Sequence, residues 1–332
     1  MDTAGLVDLQ VNGYAGVDFN DAALDAAALD HALEAMLRHG VTCCLPTLIT
    51  APEAILAERL IALDRAVGTS RLGPRMVPGF HLEGPFLNPS PGFAGCHPPE
   101  AMVRPDPATL GRLVTGLAHP VLMLSLAPEQ AGGMELVRVA RALGMLVAIG
   151  HSAAGASELA EAVEAGATLS THLGNAMPHT LAKFRNPLVA HLAEDRLAAS
   201  FIADGIHIPP PALKVMLRAK GVARAVLVTD ATAAAAAPPG IYRFAGMSIE
   251  HTENNSVRVP GSTALAGSAL SLDQAVRNVV GWGLSEPSEA IRMASTNPAA
   301  LLAPALATHG LRPPAGRIGW SDTLAPEHVE LG

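Results

Sequence analysis

Short apolar runs alternate with longer, alanine-rich stretches along most of the chain. An unbroken apolar run, rather than strict alternation, is typical of a strand that is buried on both faces of a parallel sheet. We predict eight such strands, at residues 6–12, 41–48, 76–83, 121–127, 146–151, 169–172, 200–204 and 225–230.

The stretches between these runs have the length and composition of helices. The predicted helices cover residues 22–39, 52–66, 134–143, 156–165 and 211–220. Four glycines, at positions 40, 144, 166 and 221, fall between a predicted helix and the next strand. Glycine at that place is typical of a helix C-terminus.

Eight strands that alternate with helices predict a parallel (β/α)8 barrel of the TIM type. A doubly wound open sheet is the alternative. It would place a glycine-rich nucleotide-binding turn after the first strand, and residues 10–16 (QVNGYAG) do not have that pattern.

The segment at residues 240–259 has a different character. Its apolar positions are scattered among polar and turn residues, which indicates a β-hairpin inserted after the eighth strand. Helices resume at residues 271–280 and 289–302.

Composition narrows the class of protein. Of 332 residues, 49% are hydrophobic and 16% are charged, with a formal net charge of −8, so we expect a buried core and no nucleic-acid partner. The three cysteines are an odd number and two are adjacent, which argues against a disulfide framework. With no leader peptide or membrane-spanning run recognised, we expect a cytoplasmic protein without a membrane partner.

Polar side chains lie at the ends of five predicted strands. They are Glu83, His151, His172, the pair Asp204 and His207, and Asp230. Because the carboxyl ends of barrel strands meet at one face, we expect these side chains to lie together. His81 shares a strand face with Glu83, and we assign it no role.

One carboxylate and two imidazoles suit a catalytic metal site that keeps a coordination position open. Zinc is the first choice, and iron, cobalt or manganese also use such mixed ligands. An aspartate outside the ligand set, such as Asp230, could then serve as general base and acid. Each residue alone has a simpler interpretation: a packed histidine, a buried ion-pair glutamate or a helix-capping aspartate.

Eight motifs together resemble the N-acetylglucosamine-6-phosphate deacetylase family of the amidohydrolase superfamily, nearly from end to end. They are VDLQVNG at 7–13, LPTLIT at 45–50, HLEGPF at 81–86, GHS at 150–152, THLGNAMP at 171–178, ADGIH at 203–207, VTDAT at 228–232 and LAGS at 265–268. The resemblance implies hydrolysis of the acetamide of N-acetylglucosamine 6-phosphate, in amino-sugar catabolism and recycling. It also implies that Glu83, His151 and His172 hold the metal and that Asp230 is the catalytic acid and base.

The resemblance further implies a set of substrate-binding residues. His97, together with Cys96, would face the acetyl group or the sugar, and Leu265, Ala266 and Gly267 would line the sugar site. Asn175, the Ala176 backbone and His207 would receive the phosphate. Arg185 would reach the phosphate of a neighbouring subunit, which implies a homodimer, and Lys183 is a rival for that role.

The first strand indicates how many metal ions to expect. Many amidohydrolases carry His-x-His there to hold a second ion, whereas this chain has Gln10 and Asn12. Neutral amides are weak ligands for a zinc-type ion, so we predict one divalent ion per chain.

Two features depart from the family pattern. Relatives begin with a few dozen residues of a small β-domain, so we assign residues 1–315 to the barrel and 316–332 to a remnant of a largely missing small domain. The stretch 177–187 is one residue longer than usual, and Asn186 replaces the family's glutamate.

Three other functions stay open at this point. A deacetylase for another N-acetylhexosamine phosphate, such as the galactosamine epimer, would carry the same motifs. A degenerate sugar-phosphate-binding protein would lack turnover, although Glu83, His151, His172 and Asp230 are all present. A cyclic amidase is a weaker alternative, because it calls for the missing His-x-His.

Overall fold

The computed structural model describes all residues from 1 to 332, and its centre is a sheet of eight parallel strands. Neighbours along the chain are neighbours in the sheet, which confirms the predicted (β/α)8 barrel. In chain order, barrel strands one to eight are Leu6–Val11, Val41–Ile49, Phe80–Glu83, Val121–Leu126, Leu146–Ile149, Leu169–Ser170, Ala198–Phe201 and Ala225–Leu227.

The barrel closes between strands one and eight through a few specific bonds. The Asp230 amide donates to the Gln10 carbonyl (2.9 Å), and the Asn12 amide donates to the Ala231 carbonyl (2.7 Å). Just below, the buried Asp8 carboxylate accepts a bond from the Thr229 hydroxyl (2.6 Å). Burial raises the pKa of Asp8 to about 7.

Helices surround the barrel, as the sequence predicts, with some differences in extent. They are Ala26–Arg38, Glu53–Thr69, Gly73–Met76, Pro107–Val114, Gly133–Ala142, Ala156–Ala165, Pro187–Ala193, Pro210–Lys220, Leu272–Gly281, Pro287–Ala294 and Thr296–Thr308. Three of these have no counterpart in the prediction: the single turn Gly73–Met76 and the helices Pro107–Val114 and Pro187–Ala193. The two longer helices begin with proline after a capping Asp106 or Asn186, a recognisable helix start.

Several predicted elements differ from the structure at their boundaries, and two of these differences have a local cause. The third strand begins at Phe80 rather than at residue 76, because Gly73–Met76 forms a helical turn. The single helix predicted at 289–302 is two helices that meet at Ser295, whose backbone is not helical (φ −130°, ψ −80°). Pro298 has no amide hydrogen to continue the first helix, and it fits the first turn of the second.

The insertion after strand eight is the predicted hairpin. Gly240–Phe244 pairs antiparallel with Met247–His251, and Val257–Arg258 adds a short third strand. Its apolar side packs over the barrel through Phe244, Ile249 and Val257, which are buried with Ile49 and Ala266.

A second small sheet joins the two ends of the chain. Asp2–Ala4 pairs antiparallel with Arg317–Trp320, which pairs in turn with Pro326–Glu330. Ile318 and Trp320 are buried against the barrel. The segment that we assign to a small β-domain thus takes one of its three strands from the start of the chain. No helix combines the length and apolar character needed to cross a bilayer.

Candidate active site

The fold brings three predicted imidazoles, those of His97, His151 and His172, around one buried carboxylate, that of Glu83 at the end of strand three. His172 Nε2 lies 2.9 Å and His151 Nε2 lies 3.6 Å from Glu83 Oε1. His97 Nε2 lies 3.6 Å from Glu83 Oε2. All four side chains are at most 5% exposed, so they meet away from bulk water.

Hydrogen bonds behind the rings decide which nitrogen faces Glu83. His151 Nδ1 donates to the Phe93 carbonyl (2.8 Å), which can only accept. His97 Nδ1 bonds to the Thr50 hydroxyl (2.9 Å), and that hydroxyl donates to the Glu83 carbonyl (3.4 Å). In the neutral rings, Nε2 of His97 and His151 therefore carries a lone pair toward the carboxylate.

This donor set fits a divalent metal ion. Ligand atoms of Glu83, His97 and His151 all lie within 4.8 Å of one another. The ligand set predicted from the sequence is Glu83, His151 and His172, with His172 in place of His97. In the structure His172 also lies against the Glu83 carboxylate, and its Nδ1 atom is buried without a protein hydrogen bond. Carboxylate and imidazole donors with outer hydrogen bonds are the ligands that zinc-type ions take in catalytic sites.

The charges in the cluster follow from burial and from these contacts. Burial opposes ionisation of Glu83, yet the neighbouring imidazoles of His151, His172 and His97 hold its pKa well below the ordinary value. Burial, with the neighbouring His151, lowers the pKa of His97 to about 4. The site therefore presents an ionised carboxylate, and His97 is neutral near pH 7.

Asp230, at the end of strand eight, accepts hydrogen bonds from two side-chain amides at the end of strand one, and one of these amides also bonds to Glu83. Asn12 Nδ2 donates to Asp230 Oδ1 (2.7 Å), and Gln10 Nε2 donates to both Glu83 Oε1 (2.9 Å) and Asp230 Oδ1 (3.3 Å). The amide oxygens of Gln10 and Asn12 are buried without a protein partner. Where relatives of the two-metal type carry imidazoles, this chain thus directs amide N–H groups at its two carboxylates.

The backbone is strained at three of these strand ends. His151, His172 and Asp230 have positive φ values of 51°, 28° and 48°. Residues other than glycine adopt this region at a cost of roughly 1–3 kcal/mol each, and such positions cluster at functional sites. Burial and the charge of Glu83 also raise the pKa of Asp230 to about 6.

His81 belongs to a buried hydrogen-bond layer beneath the cluster. Its Nδ1 bonds to the Thr47 hydroxyl (3.1 Å) and its Nε2 to the Ser125 hydroxyl (2.8 Å). Ser125 bonds in turn to Thr171 (2.8 Å), the residue before His172. Burial lowers the pKa of His81 to about 4, so the neutral ring links strands two, three and four.

The predicted phosphate residues lie on two adjoining strand ends. His207 Nδ1 bonds to Asp204 Oδ2 (2.6 Å), and Asp204 Oδ1 also accepts from the His207 amide (2.8 Å). Asn175 Nδ2 donates to the His172 carbonyl (3.0 Å), which fixes it beside the cluster, and Ala176 has a positive φ of 50°.

The segment predicted to line the sugar site lies against Asp230. The Ser268 amide donates to the Asp230 carbonyl (2.9 Å), and a Cβ on Gly267 would lie 3.0 Å from that carbonyl oxygen. Ala266 is buried under the hairpin, with the partly buried Cys96 packed against the same cluster. Leu265 forms an isolated bridge with Arg258.

Arg185 is not brought into the site of its own chain. It lies on an exposed segment and forms no ion pair or side-chain hydrogen bond within the chain. Its neighbour Phe184 is 74% exposed, with Lys183 Nζ 5.5 Å from the ring centre. Asn186 caps the following helix by accepting from the Val189 amide (2.9 Å), which accounts for an asparagine at that place.

Sequence reasoning missed two groups that orient the imidazoles. Thr50 is the last residue of the LPTLIT motif at 45–50, so the sequence does carry a signal for it. The Phe93 carbonyl had no sequence signal, because any residue supplies a carbonyl.

The sequence of this chain is similar to the amidohydrolase family and to deacetylases that act on N-acetylhexosamine phosphates. Residues 2–304 match the model of the amidohydrolase family. An N-acetylgalactosamine-6-phosphate deacetylase of Escherichia coli O157:H7 is 36% identical over 297 residues, 89% of this chain and 76% of the relative. An N-acetylglucosamine-6-phosphate deacetylase of Danio rerio is 36% identical over 310 residues, 90% of this chain and 74% of the relative.

Solved structures agree over nearly the whole chain. A mutant N-acetyl-D-glucosamine-6-phosphate deacetylase of Mycobacterium smegmatis, in complex with N-acetyl-D-glucosamine-6-phosphate, superposes with a TM-score of 0.88 at 29% identity. The match covers 99% of this chain and 85% of that one. The Pasteurella multocida N-acetylglucosamine-6-phosphate deacetylase has a TM-score of 0.86 at 26% identity, covering 99% and 85% of the two chains.

Proposed function

The chain belongs to the amidohydrolase family, and from that premise we propose that it hydrolyses the acetamide of N-acetyl-D-glucosamine 6-phosphate. The products are D-glucosamine 6-phosphate and acetate, which places the reaction in amino-sugar catabolism and recycling. The observation that carries the proposal is the buried Glu83 carboxylate, ringed by His97, His151 and His172 and joined through Gln10 to Asp230. The names of the relatives supply the substrate class.

The buried glutamate–histidine cluster and the family both point to a metal ion. In the proposed function Glu83, His151 and His172 hold one divalent ion per chain, with zinc the first choice and iron, cobalt or manganese the alternatives. When bound, such an ion polarises the acetyl carbonyl and makes water a stronger nucleophile near neutral pH. His97 faces the acetyl group, where Thr50 holds its ring.

Asp230 is the proposed general base and acid. Asn12 and Gln10 both donate to its Oδ1, so Oδ2 is left without a protein hydrogen bond and is the oxygen available to a proton. Asp230 takes the proton of the attacking water and returns it to the amide nitrogen, which leaves badly as an anion. A pKa raised to about 6 suits a group that must do both near neutral pH.

The remaining contacts of the proposal concern the rest of the substrate. Asn175, the Ala176 backbone and His207 receive the phosphate, while Cys96 and residues 265–267 line the sugar. Hydrogen bonds that fix two of these side chains support this assignment. Asp204 holds the His207 ring, and the His172 carbonyl holds the Asn175 side chain. Such preorganised donors bind an anion at a low cost in ordering.

Acetate release from two epimers tests the function. We expect metal-loaded protein to release acetate from N-acetylglucosamine 6-phosphate, and we measure kcat/KM for this sugar and for N-acetylgalactosamine 6-phosphate. The galactosamine epimer is the second candidate substrate, because a relative at 36% identity carries that name. A higher kcat/KM for that epimer would replace the proposed substrate, and binding of both sugars without acetate release would leave only a binding protein.

A further prediction concerns Arg185, which we propose reaches the phosphate of a neighbouring subunit in a homodimer. Light scattering should then show a dimer, and Arg185→Ala should raise KM about 10- to 100-fold with little change in kcat, the cost of one charged hydrogen bond. Lys183→Ala tests the rival residue on the same exposed segment and should leave KM close to that of the parent. A fully active monomer, or a KM increase in the Lys183 variant alone, would contradict this assignment.

A further inference from the structure

One carboxylate behind the candidate site takes no part in the proposed chemistry. Glu129 follows barrel strand four and is partly buried. Its Oε1 accepts from Asn88 Nδ2 (2.9 Å) and from the Ala153 amide (2.7 Å), and its Oε2 accepts from the Ser152 hydroxyl (2.6 Å). A single side chain thus receives three hydrogen bonds, which at these lengths are typical of an ionised acceptor.

The three donors come from the two segments that carry imidazoles of the site. Ser152 and Ala153 directly follow His151, whereas Asn88 lies on the segment 84–98, which also carries His97. These segments touch each other as well: the Asn88 amide donates to the His151 carbonyl (3.1 Å), and His151 Nδ1 donates to the Phe93 carbonyl. Glu129 therefore lies where both segments join.

The backbone of His151, at this junction, has a strained conformation that neighbouring groups must stabilise. His151 has a φ of 51°, a conformation that a histidine keeps only when its surroundings enforce it. Ser152 is fully engaged, since its oxygen donates to Glu129 and accepts from the Ala154 amide (3.1 Å). Removing Glu129 would take the acceptor from three donor groups: the Ser152 hydroxyl and the Ala153 amide on one side, and Asn88 Nδ2 on the other.

From these contacts we propose that Glu129 is a positioning residue. It holds the turn after His151 and the segment 84–98 in one arrangement, so that the Nε2 atoms of His151 and His97 converge on Glu83. The inference rests on the proposed metal role of His151. Glu129 itself forms no hydrogen bond or ion pair with the four side chains of the cluster.

A series of variants of the 332-residue chain tests this proposal. In Glu129→Ala, Zn²⁺ should be lost to an excess of chelator about 10- to 100-fold faster than in the parent, as for other outer partners of metal ligands. Glu129→Gln should show a smaller effect, because its oxygen still accepts from Asn88 and Ala153. Glu135→Ala, an exposed carboxylate on the next helix, is the matched control and should release Zn²⁺ at the parental rate.

Amide hydrogen exchange in the metal-free chain supplies a second readout. In Glu129→Ala, peptides that cover residues 86–97 and 151–155 should exchange faster, while the helices at 272–308 stay unchanged. Release of Zn²⁺ at the rate of the Glu135 variant would overturn the proposal. So would faster exchange spread evenly over the barrel, because that indicates a general loss of stability.

Metal release and amide exchange test the role of Glu129 separately from the deacetylase activity. If the parent chain releases no acetate from either epimer, the deacetylase assignment fails, and metal release and local exchange still decide the role of Glu129. If the parent binds no Zn²⁺, the metal role of His151 fails, and the exchange pattern alone decides whether Glu129 joins the two segments.

Discussion

Asp230→Asn is expected to lower the turnover of N-acetylglucosamine 6-phosphate by about 10² to 10⁴, the usual contribution of a positioned general acid and base. Asparagine has nearly the same shape, and its carbonyl oxygen can still accept the bond that Asn12 donates to Oδ1 (2.7 Å). Its amide cannot take a proton from water or return one to the amine. The loss should therefore appear in kcat, measured as acetate released at saturating substrate.

The same variant distinguishes a chemical role from a structural one. Metal content and substrate affinity should be close to those of the parent, because Asp230 lies outside the proposed ligand set. Asn12→Ala is a useful companion, since it leaves Asp230 ionisable and removes one donor to Oδ1; its kcat should fall less. An Asp230→Asn protein that deacetylates at the parental rate would show that another group moves the proton.

Loss of the metal is the second large effect that we expect. His151→Ala should take the metal content from about one ion per chain to near zero and abolish acetate release. His151 belongs both to the ligand set that the sequence predicts and to the trio whose ligand atoms lie within 4.8 Å of one another. Elemental analysis of purified protein, joined to the acetate assay, measures both losses.

The other two imidazoles then decide the ligand set. We expect His172→Ala to lose the metal as His151→Ala does. His97→Ala should keep it and lose turnover, because His97 is proposed to face the acetyl group. The reverse pattern would make His97 the ligand in place of His172. Two ions per chain at full occupancy would refute the single-metal assignment based on Gln10 and Asn12.

Much of this architecture could be predicted from the apolar pattern. Buried parallel strands appear as continuous apolar runs, so their order along the chain gave the order of the barrel strands. In a barrel, the strand ends meet at one face, and this is why Glu83, His151, His172 and Asp230 could be placed together although up to 147 positions separate them. Two of the boundary errors lie where local steric effects dominate, at the helical turn before Phe80 and at the break at Ser295.

The orientation of the side chains could not be predicted in this way. His97 comes from a loop rather than a strand end, and only the folded segment 84–98 carries it to 3.6 Å from Glu83. The Phe93 carbonyl sets which nitrogen of His151 faces inward, across 58 positions of the chain. A carbonyl is common to every residue, so no sequence pattern could mark this one.

The apolar pattern of the sequence predicts the barrel, because burial and strand order are encoded in local apolar periodicity. The same strand order places the candidate site residues at one face. Only the folded chain sets the hydrogen-bond partners of those side chains. It directs the amides of Gln10 and Asn12 at two carboxylates, and it places Glu129 between the segments that carry His151 and His97. Hydrogen-bond direction depends on partners that are distant in the chain and are chosen only when the strands and loops have packed.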